Sequence, residues 1–482
     1  MRRLILALGI SALVGCGASA SSYGPSRPTT NTVAAQTDPL TPASNDAPNP
    51  NGSWVGTAAG SDAFVPGMQD TFVAVWVDVP KDDKVGKAPA AVSLVIDTSG
   101  SMAGEKIRHA KEAAQKLVTE LRDGDIVSLT TFNDRAEDRV APVRLDARSR
   151  AQIASVIAEL KADGGTNLFE GVRQAGMSVM GAPTTHPIRR VVLISDGLAT
   201  VGLTSRDQLA MLGEKAGDRG VQVTAIGVGL EYDELTLNQL ALRSSGRLYH
   251  LTDTRALPEI IGSEMGLLKG TRATNTRVSI VPAPGVQIVS VEGARGTFQS
   301  CGMGACPVDV PLGSMFAGQH KEFIVRVRLM APEAGSHPVA SVRLLFHDPA
   351  ENNLERVQEA VARFDVVNDP TLAAQRTNQR AQSVFALIDA GRATEIAAQS
   401  INADNFDEAE RSLAATEQKL RQQASTATTK ADKDRLEASA SRVGRARAGA
   451  AKAAAAPPAA RPQEKRKQAL EANDAAMDLQ GF

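Results

Sequence analysis

The sequence predicts an α/β fold: a doubly wound, mostly parallel sheet, inserted in or followed by a β-sandwich, with a helical region at the C-terminal end. Three observations carry this. Branched apolar runs alternate with helical repeats over residues 91–270, strands follow one another without helices over 271–367, and an alanine- and charge-rich stretch begins at Pro370. A chain of 482 residues is too long for one core. Its 53 basic and 54 acidic residues nearly cancel, which argues against nucleic acid or a charged membrane surface as a general partner.

The first elements are signals and spacer. Arg2 and Arg3 precede an apolar stretch, Leu4 to Val14, too short to span a bilayer, the pattern of a secretory signal peptide. Leu13-Val14-Gly15-Cys16 resembles a bacterial lipobox, which implies a lipidated Cys16 at the head of the mature chain and a lipid anchor in the cell envelope. An ordinary cut near Ala18 or Ala20 is the alternative reading. Gly17, where an aspartate would resemble an inner-membrane retention signal, points to the outer membrane. Residues 17–66 are mostly Ser, Thr, Pro, Ala, Asn and Gly and read as a disordered tether with a reach of roughly 40 Å. Trp54 in it is either a docking residue or incidental. Within 67–90, the alternating strand at 70–80 has no obvious place in a parallel sheet and is expected to join the sandwich.

Strands of the α/β domain are expected at Val92 to Ile96, Ile126 to Phe132, Val191 to Ile194, Val221 to Val228 and Leu248 to Leu251. Helical spacing links Ile107, Ala110, Ala114, Leu117, Val118 and Leu121, then Ile153, Val156, Ile157 and Leu160, and later Leu235 to Leu242 before Gly246. Ligands of such sheets sit beyond the carboxyl ends of strands. There the chain places "DTSGSM" from Asp97, "DGGTN" around Thr166 and "SDG" around Asp196. Asp97, Ser99 and Ser101 alternate, so in a loop their oxygens converge. With Thr166 and Asp196 they make an oxygen-only set that suits a hard cation. Singly, each residue reads equally well as a helix cap.

The motifs Asp97-x-Ser99-x-Ser101, Thr166 and Asp196 resemble the metal-ion-dependent adhesion site of von Willebrand factor type A domains, over about residues 91–270. "VIDTSGSM" resembles the inter-alpha-trypsin-inhibitor heavy-chain and bacterial surface-protein branch. The resemblance implies Mg²⁺ (or Mn²⁺) held by these five residues and a protein partner whose Glu or Asp completes the metal shell. Selectivity would lie in Met102 to Glu105, Asn167 to Glu170 and Leu198 to Thr204. The rival class is an enzyme. The six histidines have no metal-ligand spacing, "AGEKIRH" lacks the upstream glycine of a phosphate loop, and "IGVG" lacks the third glycine of a dinucleotide fingerprint. The sequence reading is therefore an adhesive lipoprotein without catalysis; an assembly factor for an envelope complex and a structural lipoprotein with a stiffening metal are the alternatives.

Residues 271–367 alternate as antiparallel strands half exposed to water, hence the sandwich. Cys301 and Cys306 bracket "GMGA"; with Cys16 assigned to lipid they form an even pair, read as a disulfide, with metal binding as the alternative. Residues 370–445 are expected to form a helical hairpin, its first helix ending near Gly391, and "NADNFDEAERSLAATEQKL" resembles half of a tetratricopeptide unit. Residues 446–482 read as low-complexity linker and charged tail.

Overall fold

In chain order, the first strands of the computed structural model are β1 (Val55–Ala59), β2 (Ala63–Phe64) and β3 (Gly67–Asp78). The structure describes residues 52–81, 88–196, 198–229, 232–251, 254–294, 306–331 and 333–480, so the expected leader and Cys16 lie outside it. The end of the expected tether is instead sheet. Val55 and Ala59 are buried, and Trp54 stacks on Phe346 at 4.5 Å. The small, polar composition concealed this because the strand is held by its pairing with β3 rather than by its own apolar content. Gly56 is required by that pairing: a Cβ there would fall 2.2 Å from the Trp76 ring.

The α/β domain follows: β4 (Ala90–Asp97), α1 (Glu105–Glu120), β5 (Ile126–Phe132), β6 (Ala136–Arg144), α2 (Ala147–Glu159), α3 (Leu168–Met180), β7 (Ile188–Ser195), α4 (Arg206–Gly217), β8 (Val221–Val228), α5 (Glu234–Arg243), β9 (Leu248–Leu251) and α6 (Leu257–Lys269). Its sheet runs β6-β5-β4-β7-β8-β9, parallel except for the edge strand β6. Successive residues of β4 serve opposite layers. Val92, Leu94 and Ile96 meet Leu117, Ile157 and Met265 on one side, while Ala91 and Val95 meet Val172, Leu209 and Leu240 on the other. β6 carries four charged residues and Pro142 in an exposed "AEDRVAPVR", which hides it from an apolar-run search. Because β4 is flanked by β5 and β7, the strand order reverses there, and the crevice opens beyond the ends of β4 and β7.

Beyond it lie β10 (Thr271–Pro282), β11 (Val286–Glu292), β12 (Val308–Phe316), β13 (His320–Ala331), β14 (Gly335–Asp348) and β15 (Leu354–Val366). One sheet has the order β1-β3-β13-β11, the other β12-β10-β14-β15-β2. β3 pairs antiparallel with β13 from Gly67↔Ala331 to Asp78↔His320, so the α/β domain lies between two adjacent strands of one sheet. The two sheets share one apolar core, in which Val73, Val75, Phe323 and Val325 meet Val278, Ile280, Val342 and Phe346. The opposite face of β3 and β13 is not open to water as the alternation suggests. Ala74, Trp76 and Ile324 are covered by Ala381, Val384 and Ile388 of a helix.

That helix belongs to the series α7 (Pro370–Gln375), α8 (Gln379–Asn402), α9 (Phe406–Thr426), α10 (Lys430–Ala455) and α11 (Arg461–Leu479). The hairpin and the low-complexity tail are both corrected by it. α10 runs on to Ala455, and α11 buries Ala469, Leu470, Ala472 and Ala476. Nor does Gly391 end a helix: α8 passes through it, and a Cβ there would lie 3.3 Å from the Ala476 carbonyl of α11. Alanine, the best helix former, makes these segments helical and thin enough to pack, while blurring the apolar stripe that marks a helix in sequence. Among the described residues no helix is long and apolar enough to cross a membrane.

Candidate functional site

Asp97 is the last residue of β4, and its carboxylate is held from both sides. The Ser99 backbone N–H donates to Oδ1 at 2.8 Å and the Ser195 hydroxyl to Oδ2 at 2.6 Å. The chain then makes a short 3-10 turn, Gly100–Met102, pinned by the fully buried Met102. The turn brings Ser99 Oγ within 3.0 Å of Ser101 Oγ, and Ser101 Oγ donates to Asp196 Oδ1 at 2.8 Å. The i, i+2 spacing of the serines thus converges as expected, and Asp196, arriving from β7, closes the group.

Thr166 comes from the second loop. The Gly100 N–H donates to the Gly164 carbonyl at 3.0 Å and the Asp163 N–H to the Thr98 carbonyl at 2.7 Å, tying that loop to the first. Gly164 has φ +80°, and a Cβ on it would stand 2.6 Å from the Asp134 carboxylate, so glycine is needed for both conformation and space. Asp134 in turn accepts from the Gly165 N–H at 3.0 Å. Thr166 is also laced to the third loop: its carbonyl accepts from the Thr200 N–H and its N–H donates to Thr200 Oγ1, each at 3.0 Å. All three loops are therefore joined by main-chain hydrogen bonds, and Asn167 caps α3 by accepting from the Glu170 N–H at 3.3 Å.

Asp97, Ser99, Thr166 and Asp196 are buried, at 0, 2, 4 and 5% exposure, whereas Ser101 is exposed at the mouth. Burial raises the Asp97 carboxyl above its ordinary range; hydrogen bonds from Ser195 and Ser99 oppose this, and the charge of Asp196 adds to it. The Lys106 ammonium, on the first turn of α1, is paired with Asp196 Oδ2. Two neighbouring carboxylates and the hydroxyls of Ser99 and Ser101 form a donor set of hard oxygens that fits a small divalent cation; Thr166 is tied to this group through its loop's main chain. Among the described residues no three His, Cys, Asp or Glu side chains gather to hold a metal, so a cation here must rely on the hydroxyls as well as the carboxylates.

Lys106, Ser195 and Asp134 were not singled out by sequence reasoning, and Thr200 entered it only as part of the Leu198 to Thr204 loop. Ser195 was signalled only by standing beside Asp196, and Lys106 by following the serine loop into a helix; Thr200 and Asp134 act across loops and leave no local trace. Cys306 is disulfide-bonded, while Cys301, its expected partner, lies outside the described residues.

A sequence profile of the von Willebrand factor type A domain matches residues 92–263. An uncharacterized protein of Synechocystis sp. is 26% identical over 297 residues, covering 60% of this chain and 69% of its own. Inter-alpha-trypsin inhibitor heavy chain H4 of Sus scrofa is 31% identical over 188 residues, 37% of this chain and only 19% of its own length. A solved von Willebrand factor type A protein from Catenulispora acidiphila superposes over 88% of this chain and 96% of its own with a TM-score of 0.67 at 17% identity, a likeness of fold. The sheet order, the three loops at the switch point and the matched profile agree: residues 92–263 are a von Willebrand factor type A domain.

Proposed function

We propose that the chain binds a protein partner at the crevice beyond β4 and β7, using Mg²⁺ or Mn²⁺ held by Asp97, Ser99, Ser101, Thr166 and Asp196, and that it does so in the cell envelope, anchored through a lipidated Cys16. One observation supports the binding part: the hydroxyls of the first loop meet the carboxylate that follows β7, with Ser101 Oγ 3.0 Å from Ser99 Oγ and 2.8 Å from Asp196 Oδ1, while the Thr166 loop is tied to both neighbouring loops through its main chain. Domains of this type commonly serve protein interaction and adhesion, which supports the reading. A bound divalent cation supplies an open coordination position that attracts a partner's carboxylate. The protein's part is to hold its oxygens at fixed separation. Asp97 and Asp196 provide the charge, the serines provide neutral donors that leave it only partly offset, and Ser101 stands at the solvent edge where a partner can approach. The exposed Leu198 and Leu203, on the loop after Asp196, supply apolar contact beside it.

The test is capture from envelope extract by the full chain in detergent. A partner is expected that is lost in EDTA and regained with Mg²⁺ or Mn²⁺, and less well with Ca²⁺, whose longer bonds and larger coordination number suit a compact site poorly. Ser99→Ala with Ser101→Ala should abolish capture and leave the chain folded by circular dichroism, with a modest fall in melting temperature from the lost Ser101 hydrogen bond to Asp196. Capture that survives both chelation and the double substitution removes the metal from the binding surface.

A further inference from the structure

Asp196 has both oxygens committed. Oδ1 accepts from Ser101 at 2.8 Å, and Oδ2 is paired with the Lys106 ammonium. The carboxylate is fully enclosed, with a side-chain exposure of 0%, whereas Lys106 keeps 36%. A fully enclosed carboxylate is stabilised by a compensating cation, and losing that partner is costly. The lysine reaches it on a flexible four-carbon stem from the start of α1, immediately after the serine loop. Its Cε and Nζ also stand about 4.0 Å from where a Cβ on Gly229 would be. The ammonium therefore sits between the ends of β7 and β8, and glycine at 229 puts no side chain beside it.

On the reading that the five oxygens bind a divalent cation, we infer that Lys106 is a built-in competitor for that cation: ammonium and metal contend for Asp196 Oδ2, so that metal entry frees Lys106 to the rim of the site. Three consequences follow from the geometry. Lys106 lowers the affinity for the metal, because its ion pair must be given up. It stabilises the loops under chelation, because it compensates Asp196. Once freed it is a second positive group beside the position where a partner's carboxylate arrives, so metal and lysine together favour an acidic ligand.

The test uses the full chain in detergent with MgCl₂ as the only ligand. By calorimetry Lys106→Met should bind Mg²⁺ roughly tenfold more tightly than the wild type, equivalent to about 1.4 kcal/mol. It should melt at a lower temperature in EDTA and show a larger rise on adding Mg²⁺. Lys116→Met, farther along the same helix and paired with Glu120 at 3.8 Å, controls for the loss of one positive charge and should leave Mg²⁺ binding near the wild-type value. In the wild type, labelling of Lys106 by an amine-reactive ester, read by peptide mass spectrometry at constant pH, should rise several-fold when Mg²⁺ replaces EDTA. Mg²⁺ binding that is no tighter in Lys106→Met, equally tightened by Lys116→Met, or unaccompanied by a change in Lys106 labelling overturns the competition and leaves the metal reading standing. Failure of both wild type and Lys106→Met to bind Mg²⁺ overturns the metal reading and the competition with it.

Discussion

The α/β domain and the C-terminal helices bury their surfaces in opposite ways. In the α/β domain the layers on either side of the sheet are built mainly from Val, Leu and Ile, with alanine at ten of forty-seven buried positions, and each strand residue serves one layer. Among α8 to α11, ten of the seventeen residues in the buried cluster are alanine, so the helices meet nearly backbone to backbone. The difference shows where each region is vulnerable. A core of large side chains is damaged by removing atoms, and a core of alanine by adding them.

The largest effect tests the first half of that contrast. Leu117→Ala, at a position with 0% exposure, should cost about 2–5 kcal/mol in chemical denaturation, since α1 cannot collapse onto the sheet to fill the space. A loss below about 1 kcal/mol would mean that the layer is looser than its burial indicates. Next, Ala450→Leu, also at 0% exposure, should cost about 1–3 kcal/mol by forcing α10 away from its neighbours. If that substitution is neutral or stabilising, the helices are not packed through their small residues.

The smallest effect concerns the seam between the helices and the sheet, where His320 is paired with Asp78 and, at 2.6 Å, with Glu322, beside Arg435 and Asp432 of α10. Burial disfavours the imidazolium, but Glu322 and Asp78 outweigh both it and the opposing charge of Arg435, and the His320 pKa is raised to about 9. A pKa raised on folding stabilises fully below the unfolded value near 6.5 and fades as pH rises through about 9. Denaturation midpoints should therefore fall between pH 6.5 and 9, and His320→Gln should flatten that fall. An unchanged slope in the variant would place the pH dependence elsewhere.

The same contrast explains what could be read from the sequence. Strands such as Leu94-Val95-Ile96 announce themselves because a strand buried on both faces is apolar throughout. Asp97, Ser99, Ser101, Thr166 and Asp196 stood out because each lies at a strand end or beside a glycine turn; Asp97, Ser99 and Ser101 are brought together by short local geometry, whereas Ser101 and Asp196 meet across 95 positions. The alanine helices were missed because a small residue is equally common in a linker and in a close-packed interface. β1 was missed because its burial is conferred by β3, and Lys106 and Thr200 because their partners lie on other loops, 90 and 34 residues away in sequence. Contacts that depend on another segment's arrival leave no periodic mark.

The pairing of β3 with β13 also dictates an order of events in time. Asp78 and His320 meet across 242 positions, so β3 is synthesised long before the strand that completes its sheet. Until then Val73, Val75 and Val77 present an apolar, unpaired edge, the kind of surface that associates with other chains. Folding of the α/β domain draws the ends of the intervening segment together and shortens the loop that must close. The domain that carries the candidate site is thus also the clasp that lets the early strand find its late partner.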